Sequence, residues 1–245
     1  LDTVDYQMRG ELIAYSEFFD RYRETVVSEV SGAINDTYLK LQREDGSYPI
    51  KIDFNTGEPV NEVGAMLHPL LNYILRLHNQ YGLTKYDVIT EKGEKWMDEI
   101  AVETFNMTGQ FEDVNVMGLE PYENLTNCTA APYASYLLNK ETVSEKDLNN
   151  AIDLIRLSED QFTFWDTTPN EYGLRMMATP CVFEQYKYQK PVDHSAHNVA
   201  MAFLDLYEET GDKLAFAKAK ALIDNMTIVQ NKGNGQMPTT WDFRT

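Results

Sequence analysis

Three groups of residues in this sequence carry side chains able to do chemistry. Glu159 and Asp160 lie in the run RLSEDQFTFWD (156–166), with Trp165 and Asp166 close behind. Cleavage of a glycosidic bond uses two carboxyl groups, one protonated to assist the leaving group and one ionised. Adjacent residues point apart in most backbone conformations, so Glu159 and Asp160 are not that pair themselves. One of them can pair with Asp53, Glu184 or Asp242 from another loop. The plain alternative is an acidic loop at a helix end that merely faces water.

The second group is Glu184-Gln185-Tyr186-Lys187-Tyr188. Strand-like alternation puts Glu184, Tyr186 and Tyr188 on one face. A tyrosine with a nearby histidine can serve as base and acid in β-elimination from a uronide, given a cation at the carboxylate. Lys187, Lys190 or Arg175 can supply it. The plain alternative is a half-buried strand with packed tyrosines. The third group is Asp193-His194-Ser195-Ala196-His197. His194 and His197 stand three apart at a helix start, an adequate spacing for a metal with Asp193 or Glu184 as third ligand. No HExxH or Cys/His framework supports a metal, so a catalytic or sugar-binding His194 is preferred. The plain alternative has Asp193 capping the helix.

Other candidates read as structure. Cys181 has no second cysteine near it, and a buried small residue is the expectation; Cys128 and Cys181 cannot make a disulfide framework. His68 sits on an apolar helix and Trp96 is expected in the core. Five N-x-T sequons occur at Asn35, Asn106, Asn124, Asn127 and Asn225, several of them in predicted helices. Walker, dinucleotide and G-x-S-x-G motifs are absent, which weakens ATPase, dehydrogenase and esterase readings. No cofactor is implied.

These residues must be positioned by helices. The 245 residues include 21 Lys plus Arg against 39 Asp plus Glu, a net charge of −18. Nucleic acid is repelled by that balance, and no apolar run is long enough to span a membrane. Helical periodicity runs through 5–22, 24–43, 63–80, 92–105, 145–157, 195–209 and 212–230. A weaker helix at 124–139 contains Pro132. Short extended pieces are expected at 48–54 and 180–188, and a loop at 158–166. The opening at Leu1 suggests a mature form after signal removal, or a fragment of a longer chain.

An internal repeat is the clearest feature. DGSYPIKIDFNT (45–56) aligns without a gap on NGQMPTTWDFRT (234–245), matching Gly46 to Gly235, Pro49 to Pro238, Asp53 to Asp242, Phe54 to Phe243 and Thr56 to Thr245. Each copy follows a predicted helix, where glycine can end it in the left-handed conformation and proline prevents its resumption. Gly109-Gln110-Phe111 and Asp160-Gln161-Phe162 echo the pattern. The intervals hold one helical hairpin each, about four in all. Each hairpin has one apolar face that must be buried on a neighbour.

Helix pairs ending in such loops resemble the α/α-toroid class, and within it the six-hairpin glycosidase-like proteins of bacterial polysaccharide breakdown. The likeness rests on 45–56, 158–166 and 232–245, on the hairpin 191–230, and on the segment PCVFEQYKYQKPVDHSAH (180–197). It implies an all-α chain forming a single domain over 1–245. The toroid would be partial or open, because six hairpins of about 60 residues need about 350. It also implies a carbohydrate ligand and a periplasmic or secreted location. The implied activity is glycoside hydrolysis by carboxylates among Glu159, Asp160, Glu184, Asp242 and Asp53. His194 joins the catalytic candidates, and Tyr48, Asp53, Trp165, Tyr186, Tyr188 and Trp241 would hold the sugar. A polysaccharide lyase using tyrosine and histidine is one alternative. A non-catalytic repeat protein binding glycan or a partner protein is the other.

Overall fold

The computed structural model describes residues 23–49, 52–60, 64, 67–104, 127–166, 178–184, 190–232 and 234–240. These residues are mostly helical, with one small two-stranded sheet, so the chain is all-α in class. They form two compact units, one from the described residues up to Thr104 and one from 127 onward.

In the first unit, α1 (Arg23–Ala33) continues through a π turn at Ile34–Tyr38 and ends at Leu41. Helix α2 (His68–Tyr81) has proline in its first turn and Gly82 at its end. Gly82 adopts φ 65°, and its N–H returns to the His78 carbonyl; a left-handed residue here costs glycine nothing. The apolar spacing holds: Leu67, Leu70, Leu71, Ile74 and Leu77 are buried, while Leu75 sits at the edge. The helix begins at His68 rather than 63, with Leu67 as its N-cap. Helix α3 (Asp87–Trp96) starts five residues before the expected 92 and continues as a π segment through Val102. His78 at the end of α2 contacts both oxygens of Asp87 at the start of α3, at 3.1 and 3.0 Å. The Asp87 carboxylate suits the helix N-terminus it occupies.

The second unit contains α4 (Asn127–Leu138), α5 (Glu145–Phe162), α6 (Asp193–Thr210) and α7 (Lys213–Lys232). Pro132 lies inside α4 without ending it. Ala130, Ala131 and Ala134 are fully buried, so neighbouring backbones approach closely and hold the helix despite the missing N–H. Ser144 and Asp147 form a reciprocal capping box that starts α5. This helix runs to Phe162, five residues past the expected end at 157. The reason is its inner face: Ala151, Leu154, Ile155, Ser158 and Phe162 continue the helical spacing and are all buried. Residues 158–162 are therefore helix, not loop. Gly211, at φ 74°, separates α6 from α7. Asp212 caps α7 by accepting the Leu214 N–H at 2.8 Å.

Strand β1 (Thr163–Phe164) leaves α5 directly and pairs antiparallel with β2 (Cys181–Val182), Thr163 opposite Val182. The extended piece expected at 180–188 is thus two residues long within the described span. Among the described residues at 48–54 there are isolated bridges, Pro49 with Gly64 and Ile52 with Pro59. No described helix is long and apolar enough to cross a membrane.

Candidate functional site

The inner face of α7 carries Ala215, Lys218, Leu222, Asn225 and Val229 at three- and four-residue spacing. Two of those positions are polar, seven residues apart, so each needs a partner away from water. Asn225 donates to the Pro180 carbonyl at 2.8 Å and so holds the chain entering β2. Lys218 reaches Glu159, on the last turn of α5, at 2.6 Å to Oε1 and 2.7 Å to Oε2. Trp165, just past β1, donates its indole N–H to Glu159 Oε1 at 3.0 Å. The Lys218 ammonium also lies 5.2 Å from the centre of the buried Phe203 ring on α6 and 5.7 Å from that of Trp165. The two rings are 6.1 Å apart.

This is a cross-brace of α5, α6, α7 and the β1 exit. It leaves the Trp165 ring half-buried in a fixed orientation. Both Glu159 oxygens are committed to Lys218 and Trp165, which makes Glu159 a positioning carboxylate. Asp160, its neighbour on the same turn, is exposed. The sequence marks Asn225 only as a sequon and gives Lys218 no role; the signal for both is a polar residue recurring on the apolar stripe of α7.

Glu184 is half-buried just after β2. His194 is exposed on the first turn of α6, its Nε2 3.2 Å from the Asn198 amide one turn on. Asp193 is buried there, and Val192 rather than Asp193 occupies the N-cap. Tyr48 is 1% exposed, its ring edge-on to Tyr38 at 5.8 Å. Its face is core and offers nothing to a sugar, and burial pushes its hydroxyl above the usual tyrosine range. Asp53 is fully exposed, but its Oδ1 accepts the backbone N–H groups of Asn55 and Thr56, each at 2.9 Å, and the Thr56 hydroxyl at 3.2 Å. Those bonds, the Thr56 N–H foremost, hold its carboxyl below the usual range. Tyr186, Tyr188, Trp241 and Asp242 lie outside the described residues.

Cys181 and His68 are buried, at 2% and 5% exposure. Burial pushes the Cys181 thiol up to about 12, so it is an inert packing residue at neutral pH. Asn225 is buried as well, which removes its sequon from consideration as a glycosylation site.

The two repeat copies share more than their aligned residues. Gly46 and Gly235 are both left-handed, at φ 91° and 85°. In each, a glutamine at the preceding helix end donates its side-chain amide to the glycine carbonyl, Gln42 to Gly46 at 3.2 Å and Gln230 to Gly235 at 3.1 Å. The second loop is one residue longer, so a gapless alignment misses this pair.

Comparison with known protein families, with curated proteins and with solved structures finds no match.

Proposed function

We propose that this chain is a carbohydrate-active protein of the α/α-toroid kind, a partial or open ring of stacked hairpins, and that it hydrolyses glycosidic bonds in a poly- or oligosaccharide outside the bacterial cytoplasm. The observation that carries this reading is Trp165, just past the end of α5, its indole N–H held by Glu159, which Lys218 pairs. An aromatic ring held in place at a half-buried position is a surface on which a sugar can stack. The matching glutamine–glycine latches at 42–46 and 230–235 support a repeated-hairpin architecture. With Glu159 committed to its brace, acid and base fall to Asp160, Glu184 and Asp242.

The occupied Glu159 also favours a second reading, a non-catalytic glycan-binding protein, because it removes one carboxylate from the pool available for proton transfer. Incubation with a panel of plant, algal and host polysaccharides separates the two. Reducing ends without ultraviolet-absorbing products support hydrolysis, and their loss in Asp160→Asn, Glu184→Gln or Asp242→Asn identifies the acid and base. Reducing ends with ultraviolet absorbance from unsaturated uronides turn the reading to a lyase. Affinity without turnover supports the binding protein, and neither affinity nor turnover rejects the carbohydrate reading.

A further inference from the structure

Five residues recur between the two loop copies, and in the first copy four of them have a visible internal task. Gly46 takes a left-handed conformation and lies so close to α3 that a Cβ there would sit 2.0 Å from the Lys92 carbonyl oxygen. Pro49 is buried and bridges Gly64. Asp53 gathers three hydrogen bonds on Oδ1, its N–H donates to the Glu58 carbonyl at 2.8 Å, and its carbonyl accepts from Gly57 at 2.8 Å. The Thr56 hydroxyl serves Asp53 and also accepts the Glu58 N–H at 3.3 Å. Phe54 has no such task. It is 97% exposed at the tip of this tied loop, with Ile52 and Val60 also exposed on the two arms below it.

We propose that Phe54 is a saccharide-stacking residue that takes the apolar face of an uncharged pyranose ring. The inference rests on the carbohydrate reading above and adds a contact and a ligand class to it. A turn held by this many bonds fixes the backbone that carries the ring, so stacking has only the Phe54 side chain left to order. The C–H face of a pyranose packs on an aromatic face. The exposed carboxylates of Asp53 and Glu58 in the same turn, on a chain of net charge −18, disfavour uronides, sulfated glycans and anionic membranes. Asp53, which the sequence offers as the ligand contact, is the residue that builds the turn, and Phe54 is the residue the turn displays.

The test uses the whole chain as wild type, Phe54→Ala and Phe54→Trp, titrated calorimetrically with uncharged gluco-, xylo- and mannohexaoses and with a hexauronide. The expected result is that Phe54→Ala weakens binding of one uncharged hexaose roughly tenfold or more with an unchanged melting temperature. Phe54→Trp should keep the affinity, and its added emission should shift to the blue on saturation. Wild-type binding that Phe54→Ala leaves untouched overturns the stacking role while the carbohydrate reading stands. Preference for the hexauronide overturns the ligand class. No binding by the wild type to any member overturns this inference together with the reading it rests on.

Discussion

Lys218 Nζ lies 2.6 Å from Glu159 Oε1 across 59 residues of sequence, tying α7 to the last turn of α5 over the Phe203 ring. The two side chains are only 25% and 20% exposed. The pair therefore lies between the surface case, worth about 0–1 kcal/mol, and the buried case, where removing one partner costs about 3–5 kcal/mol. Lys218→Met should destabilise the second unit by about 1–2 kcal/mol in urea unfolding. The double variant with Glu159→Gln should recover part of that loss, because no carboxylate is then left without its cation. Additive losses in the double-mutant cycle would show that the brace has no coupling. Trp165 emission should change in both single variants, since Glu159 also holds its indole N–H.

The two repeat glycines should respond unequally to the same substitution. Gly46→Ala adds left-handed strain and places its Cβ 2.0 Å from the backbone oxygen of Lys92, so helix α3 must move. At Gly235, nothing among the described residues lies within 4 Å of the added Cβ, and only the strain remains. Gly235→Ala should cost about 1 kcal/mol, the usual penalty for a left-handed alanine. Gly46→Ala should cost several-fold more, read from denaturation midpoints. Equal losses would refute the packing difference.

Asp205 on α6 predicts a pH dependence. Burial raises its carboxyl above the usual range and Glu208 adds repulsion, outweighing the lowering by the nearby polar side chains of Ser135 and Asn139. The folded chain thus holds the proton at a pH where the unfolded chain has released it. Stability is lost as pH rises from the ordinary aspartate value of about 3.9 to the folded value, and stays lost above it. Asp205→Asn removes the ionisation at nearly unchanged side-chain size. It should raise the melting temperature at pH 7, with the gain vanishing near pH 3. A gain independent of pH would refute the assignment.

Cys181 should report unfolding of the second unit. Its thiol is 2% exposed and pushed up to about 12, so thiolate is scarce and reagent cannot reach it. Peptide-level mass spectrometry after iodoacetamide treatment at pH 8 should find Cys181 unlabelled in native buffer and labelled once urea unfolds the chain. Rapid native labelling would contradict the packing around β2.

Ser144 tests the start of α5. Ser144→Ala removes the acceptor for the Asp147 N–H, held at 3.1 Å, and the partner of its carboxylate. The expected cost is about 1 kcal/mol, measured by chemical unfolding.

Most helices were legible because their signals are local. Apolar spacing located α2, α6 and α7, and Asp212 behaves as the cap its position after Thr210-Gly211 suggests. Misplaced ends have tertiary causes. Residues 158–162 look like a polar loop, yet Phe162 is buried to 1% exposure and carries α5 past them. Pro132 argues against a helix in isolation, but close alanine packing holds α4 together. Asp193 has the composition of a cap and stands one residue past it.

What the sequence determined by itself was the all-α class and the left-handed glycines at 46 and 235, because periodicity, capping and turn chemistry depend on neighbours along the chain. The tertiary structure alone decided what each chemical residue does. Glu159 became a brace because α7 brings Lys218 to it, and Tyr48 became core because Tyr38 and its surroundings close over it. Asp53 became a turn former, with Phe54 as the residue on display. Burial and partners arise from segments distant in sequence, and a spacing pattern holds no record of which of them will meet.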